Sequence, residues 1–357
     1  MEADVSEGPC SVGPGVARRA LWWLGRYPAF IVVAYLRAVP ALPRNPRWLA
    51  IGASLALLLA GCGRSSPPVK ATLAMTPLCG FRPGPGVVDK VLMIFEENHD
   101  YSAVVGSPDA ANLNEVAAAC GLATNDQALT HPSLPNYLTA VSGQDYARSP
   151  FDGDCTPGGS CLISGPSIFG QEAAAGHSWR SYQESMPAAC DPSDSGSYAP
   201  KHNPAVYAVD VRSTCPSSDL PLGTVASGSL ATDVGAGTLP SLSILTPNLD
   251  HDMHDGTVAT GDRWLGPWLH LITGGADYRQ GRLAVLIVWD EGSGSGNGRS
   301  HVPLFVLSAS TPAGTRDNAP LDHLALLRTA EELTGVGPPL AGAAGAPSFA
   351  AAFQLRP

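Results

Sequence analysis

Two unbroken apolar runs, VLMIF (residues 91–95) and LAVLIVW (283–289), each stop abruptly at acidic residues. A run with no polar alternation reads as a strand covered on both faces, the condition of a parallel sheet buried under helices. Segments with helical spacing separate and follow these runs. NLNEVAAACG (112–121) and LDHLALLRTAEELTGV (321–336) each carry a terminal Gly stop, and GDRWLGPWLHLIT (261–273) is amphipathic. LATNDQAL, LPSLSILTP and VPLFVLSAS read as further strands, and SLPNYLTAVSG as another helix. Strands alternating with helices predict an α/β fold with a mainly parallel central sheet flanked by helices. Between about 145 and 240 the periodicity fades into Gly, Ser, Pro and Cys, which predicts long disulfide-braced loops.

Only 15% of residues are charged, while Gly and Pro make up about a fifth, so a loop-rich globular body is expected rather than a coiled coil. The net charge of -10 leaves no basic stripe to neutralise phosphates, so no nucleic acid polymer is expected as a partner. The segment RNPRWLAIGASLALLLAGCG sets Arg44 and Arg47 before an apolar run that ends at small residues and Cys62. That is the layout of an export signal. Its LLAGC ending resembles a bacterial lipobox, which would make Cys62 the lipid attachment point and tie the protein to the outer face of the cell membrane. A short membrane anchor that stays attached is the alternative. The expected organisation is an N-terminal extension of unassigned role (1–43), a lipoprotein signal (44–61) and a Pro/Gly/Ser-rich tether (62–86). A catalytic body (87–340) and a C-terminal tail (341–357) follow. Apart from Cys10 and Cys62, six cysteines remain, an even number that outside the cytoplasm suggests three disulfides. Short separations favour Cys155–Cys161 and Cys190–Cys215, leaving Cys79–Cys120.

In open α/β sheets, ligands bind beyond the carboxyl ends of the strands. There VLMIF delivers Glu97 and Asn98, and LAVLIVW delivers Asp290 and Glu291. If the two strands are parallel neighbours, three carboxylates and an amide oxygen converge and would repel one another without a cation. Such a set suits a divalent ion, Ca²⁺, Mg²⁺, Mn²⁺ or Zn²⁺. Two unrelated polar turns are the plainer reading, and spacing alone leaves both open. In THPSLPNYLTAVSGQ (130–144), Ser133 stands between prolines at the mouth of a helix. The macrodipole and free N–H groups there would favour a phosphate, and a coordinated hydroxyl would be a nucleophile. The simpler role for such a Ser is a helix N-cap. His131, His202, His254 and His301, with Asp252 and Asp255 in TPNLDHDMHDG, complete the chemically active set. An imidazolium near a bound phosphate could hold oxygens or protonate a leaving group.

Taken in order, EENHDY, HPSLPNYLTAVSG, SWRSYQESMP, KHNPAVY, TPNLDHDMHD, ATGDRWL, VLIVWDEG and HVPLFVLS resemble the bacterial phosphoesterase family. That family contains acid phosphatases and phospholipase C enzymes of the alkaline phosphatase superfamily, and the resemblance spans about 87 to 340. It implies an alkaline-phosphatase-like fold with Ser133 as nucleophile and Asn136 bracing its turn. Glu97, Asn98, Ser133, Asp290 and Glu291 would be metal ligands. His131, His254 and His301 would act on phosphate or leaving group, and His202, Asp252, Asp255 and Asn136 would line the substrate site. Two-metal relatives carry Asp-His where this chain has Asp290-Glu291, and Asp where it has Glu97, so a single metal is expected. The implied activity is hydrolysis of a small-molecule or lipid phosphate monoester through a phosphoseryl intermediate. Phospholipase C-type or nucleotide phosphodiester hydrolysis is the first alternative, and a non-catalytic cation- or phosphate-binding lipoprotein the second.

Overall fold

The computed structural model describes residues 77–82, 84, 86–146, 153–294 and 298–357. The signal, the Cys62 attachment point and most of the tether lie outside these residues. The described strands are β1 (Gly86–Val87), β2 (Lys90–Glu96), β3 (Gly121–Ala128), β4 (Trp179–Gln183), β5 (Asp219–Pro221) and β6 (Leu242–Thr246). β7 (Leu283–Trp289), β8 (Ser300–Ser308), β9 (Thr315–Asp317), β10 (Leu321–Asp322) and β11 (Leu355–Arg356) follow. Nine of them form the central sheet in the order β10-β3-β8-β7-β2-β6-β4-β5, with β9 also on β3. β2 pairs in parallel with β6 and β7, and every residue of β2 and β7 is buried, as their unbroken apolar runs predict.

β8 is the exception, running antiparallel to both β7 and β3. The chain leaves β7 at residue 289 and begins β8 at 300, too few residues for a crossover helix, so it turns straight back. This places the start of β8 beside the carboxyl ends of β2, β3, β6 and β7. One sheet edge therefore receives Glu97, the chain leading to Ser133, the loop containing Asp252, the Asp290-Glu291 pair and His301.

Side chains alternate between two cores. Met93 and Phe95 of β2 pack with the helices Ser133–Ser142 and His323–Thr334, while Leu92 and Ile94 pack with Ala111–Ala119 and Val258–Gly274. Three disulfides, Cys79–Cys120, Cys155–Cys161 and Cys190–Cys215, follow the pairing expected from spacing. The body reaches further than the sequence suggested. Cys79 and Phe81, in the segment read as tether, are tied to Cys120 and packed against Tyr278 respectively.

Residues 341–357, read as a tail, also join the core. Phe349 and Phe353 are buried and β11 pairs in parallel with β1. The tail docks on the C-terminal end of the helix Ser133–Ser142. That helix stops at Gly143, whose φ of 69° lies in the left-handed region. Gly342 donates its N–H to the Gly143 carbonyl at 2.9 Å, and a Cβ on Gly143 would sit 2.4 Å from the Leu340 carbonyl oxygen. Among the described residues no helix is long and apolar enough to cross a membrane.

Candidate active site

β2 and β7 end in register, Glu96 beside Trp289, and the Asp290 N–H donates to the Glu96 carbonyl at 3.0 Å. Glu97 and Asp290 are therefore neighbours by construction of the sheet. Ser133 is buried at the start of a ten-residue helix whose members are all buried. Its hydroxyl lies 3.1 Å from Glu97 Oε2 and 3.3 Å from Glu291 Oε1 and donates to them. The two strands and the helix thus meet, as their polar ends predicted.

Asn136 fixes the approach to Ser133. Its Oδ1 accepts the N–H groups of Leu129 and Thr130 at 3.1 and 3.2 Å, and its Nδ2 donates to the carbonyls of Thr130 and Pro132 at 2.8 and 3.4 Å. With both ends of the amide committed to the backbone, Asn136 is a brace rather than a substrate contact.

The expectation of free N–H groups beside Ser133 needs correction. The Leu134 N–H is donated to Asp154 Oδ1 at 3.0 Å, and Pro135 has none. A phosphate at Ser133 cannot draw on these two positions.

Carboxylates crowd the site. Burial, then the charge of Asp252, pushes Glu97 well above the usual carboxylate range, although a hydrogen bond from Tyr137 opposes this. Burial, then Glu97, raises Asp290; burial, then Asp290, raises Glu291 to about 9. Asp252 rises to about 7, mainly through burial. Asp290 Oδ2 and Glu291 Oε2 are buried and accept no hydrogen bond. His131 Nδ1 stands 2.8 Å from Glu291 Oε2, but off the line of a hydrogen bond. Oxygen atoms of Glu97, Asp290 and Glu291 lie within 4.8 Å of one another. Orphaned, mutually repelling oxygens with a hydroxyl beside them fit a hard divalent cation. Asn98, at φ 52° and half-buried, follows Glu97 directly.

A second group shares Glu97. Glu97, His202 and Asp252 also bring ligand atoms within 4.8 Å of one another. His202 Nδ1 is 3.1 Å from Asp252 Oδ2 and donates to it, turning the buried Nε2, which has no hydrogen-bond partner, toward Glu97 Oε1 at 3.2 Å. Burial, followed by the charge of Lys201, holds His202 well below the normal imidazole range. The substitutions at Glu97 and Glu291 pointed to one metal; the geometry offers two groups joined at Glu97.

The remaining histidines separate. His254 approaches the cluster: its N–H donates to Asp252 Oδ1 at 2.8 Å, and its Nδ1 donates to exposed Asp255 Oδ1 at 2.7 Å. His301 lies on the rim, stacked on Tyr101 with ring centres 4.5 Å apart and with its Nε2 3.1 Å from the Thr124 carbonyl. Among the described residues, its contacts with Tyr101 and Thr124 do not include Ser133 or the carboxylates.

Three residues of the site escaped sequence reasoning. Tyr137 donates its hydroxyl to Glu97 Oε1 at 2.5 Å. It is four residues from Ser133, on the same helix face, so helical spacing could have exposed it. Asp154, just before the Cys155–Cys161 clasp, caps Leu134. Lys201 Nζ donates to Asp154 Oδ2 at 3.0 Å and faces His254 Nε2 at 3.2 Å. The only hint of Lys201 was its place next to His202 in KHNP.

Comparison with known proteins follows the same lines. The sequence pattern of the Phosphoesterase family matches residues 107–337, beginning ten residues after Glu97. Over 249 residues the chain is 31% identical to phosphatidylinositol-3-phosphatase of Mycobacterium tuberculosis, covering 69% of this chain and 77% of that protein. It is 30% identical over 258 residues to a probable acid phosphatase of Kluyveromyces lactis, covering 68% of this chain and 57% of the yeast protein. The chain thus spans little more than half of the yeast relative. A solved protein of the alkaline phosphatase superfamily from Vibrio parahaemolyticus superposes with a TM-score of 0.50 at 12% identity. The overlap covers 72% of this chain and 69% of that one.

Proposed function

This chain belongs to the phosphoesterase family, and on that premise we propose that it is an exported, metal-dependent phosphomonoesterase acting through a phosphoseryl intermediate. Family membership supports hydrolysis of phosphoric ester bonds. The observation that carries the finer reading is the buried Ser133 hydroxyl, aimed at two carboxylates that are themselves crowded with orphaned oxygens.

Glu97, Asp290 and Glu291, with Ser133 and Asn98 beside them, would hold the cation. Once bound, it would favour the alkoxide of Ser133 and offset the phosphoryl charge. Glu97 Oε2 and Glu291 Oε1 already accept the Ser133 proton as a hydrogen bond and are its natural first stop. As the Oγ–P bond forms, the bond from phosphorus to the leaving oxygen breaks and that oxygen takes a proton. His254 is better placed than His301, which is committed to the rim: its Nδ1 is held by Asp255, its Nε2 accepts from Lys201 Nζ at 3.2 Å, and that ammonium is the source of the proton. Water then adds to phosphorus, the Oγ–P bond breaks, and Ser133 recovers its proton.

A lipid-borne phosphomonoester is a candidate substrate, since the M. tuberculosis relative is named for a phosphoinositide. Three disulfides suit an oxidising compartment outside the cytoplasm and so support export. The reading is tested with Ser133→Ala, which should lower phosphate release from p-nitrophenyl phosphate by at least about 1,000-fold with the fold intact. Wild-type turnover by that variant would remove Ser133 from the nucleophile's role.

A further inference from the structure

We propose that Lys201, held by Asp154, binds the third non-bridging oxygen of the transferring phosphoryl group and makes the site select phosphomonoesters over diesters. The inference rests on the phosphomonoesterase reading of the site and names the residue that would set that preference.

The first turn of the nucleophile's helix offers a phosphate little. A helix N-terminus ordinarily offers N–H donors to a phosphate. Here Leu134 N–H is taken by Asp154 Oδ1, and Pro135 has no N–H to give. Yet the carboxylate that fills this place connects directly to a cation, because the other Asp154 oxygen accepts from Lys201 Nζ at 3.0 Å. The path from the residue after the nucleophile to an ammonium group is therefore two hydrogen bonds long.

Lys201 is also close to the opposite wall. The next residue, His202, stands with Nε2 3.2 Å from Glu97 Oε1. Among the described residues, Lys201 is a lysine whose charge bears on Glu97, Asp252 and Glu291 together. Its side chain is 22% exposed and that of Asp154 25%, so the pair borders the cluster rather than lying beneath it. Its remaining polar neighbour is His254 Nε2, which accepts from it.

A phosphomonoester carries close to two negative charges near neutral pH on three non-bridging oxygens. A diester carries one charge on two. The carboxylate side of Ser133, with a cation bound, can serve oxygens facing it. The extra charge and extra oxygen of the monoester call for a further donor, and Lys201, at the border of the cluster, can supply one. An ammonium group gives a charge-assisted hydrogen bond that a monoester uses more fully than a diester.

The test compares Lys201→Met, Lys201→Arg and Asp154→Asn in the metal-loaded protein, with p-nitrophenyl phosphate and bis-p-nitrophenyl phosphate as substrates. For Lys201→Met the monoester kcat/KM should fall about 100-fold and the diester less than about 5-fold, the size of losing one oriented donor to developing charge. Lys201→Arg should restore part of the monoester rate. Asp154→Asn can still accept from Leu134 but holds an ammonium poorly, and should move the ratio in the same direction by less. Calorimetry adds a readout independent of turnover: Lys201→Met should weaken inorganic phosphate binding and leave dimethyl phosphate unchanged. Equal losses on both substrates, no loss on either, or unchanged phosphate binding would each overturn the assignment. If the wild-type protein hydrolyses neither ester yet Lys201→Met still loses phosphate affinity, the enzymatic reading fails and the anion site stands.

Discussion

Tyr137→Phe removes one oxygen atom from the centre of the cluster and should separate metal capture from folding. The ring is buried, packed 4.8 Å from Phe95 and stacked 5.4 Å from His202 between ring centres, and Phe keeps both contacts. What disappears is a 2.5 Å hydrogen bond to Glu97 Oε1, in a place where both partners are fully buried. A hydrogen bond to a charged group contributes about 1.5–3 kcal/mol, and no water can replace the lost donor. His202 Nε2, 3.2 Å from that oxygen, makes no hydrogen bond that could replace it. Glu97 belongs to both candidate cation groups, so an unsupported Glu97 weakens either. Loss of an outer hydrogen bond to a ligand typically costs 10- to 100-fold in metal affinity, in line with the energy of the bond. The expected result is a dissociation constant for the divalent ion raised by about that factor, with the melting temperature of the metal-free protein lowered by no more than about 10 °C. Chelator competition measures the affinity, and activity should return when the ion is supplied in excess. Unchanged affinity would show that Glu97 is not a ligand, or that its orientation does not depend on Tyr137.

Two further outcomes concern stability. His323 is buried at the start of its helix, and burial pulls it down to about 4 against the opposing pull of Asp322 and the Trp289 backbone. A histidine with a depressed folded pKa contributes stability above its unfolded value near 6.5, and that contribution is lost as pH falls toward 4. The loss is about 3 kcal/mol, so His323→Leu should flatten the decline in denaturant midpoint across that window, and an unchanged slope would contradict it. For the disulfides, Cys79 and Cys120 are separated by 41 positions in the sequence and Cys155 and Cys161 by only 6. Replacing the first pair by Ser should cost about 4 kcal/mol and the second about 2 kcal/mol, read by urea titration; the reverse order would point to native-state effects.

The parts of the fold that were legible are those written in local pattern. VLMIF and LAVLIVW announce central strands because no polar residue interrupts them, and their acidic ends announce the sheet edge. The direction of VPLFVLSAS was not written in its own residues, since an apolar strand reads alike in either sense. Only the short connection from β7 shows that it turns back, and that connection also decides where His301 lies. Ser133, Glu97 and Asp290-Glu291 could be brought together because each sits at the end of a regular element. Asp154 and Lys201 come from loops without period, so their approach to Ser133 depends on long-range packing that no spacing rule records. The segment AGAAGAPSFAAAF (341–353) misled for a related reason: its small residues suggest a tail, whereas Phe349 and Phe353 fill the core.

The docking of that last segment on Gly143 makes the chain's final residues a mechanical support for catalysis. The helix Ser133–Ser142 is about 15 Å long and rigid, so its two ends move together. Asn136 pins the end that carries the hydroxyl, and the carbonyl of Leu340 with the N–H of Gly342 crowds and holds the other. A disturbance at Gly143, or a break in the segment that seats against it, would tilt the helix as a lever and register at Ser133, far from where it was made.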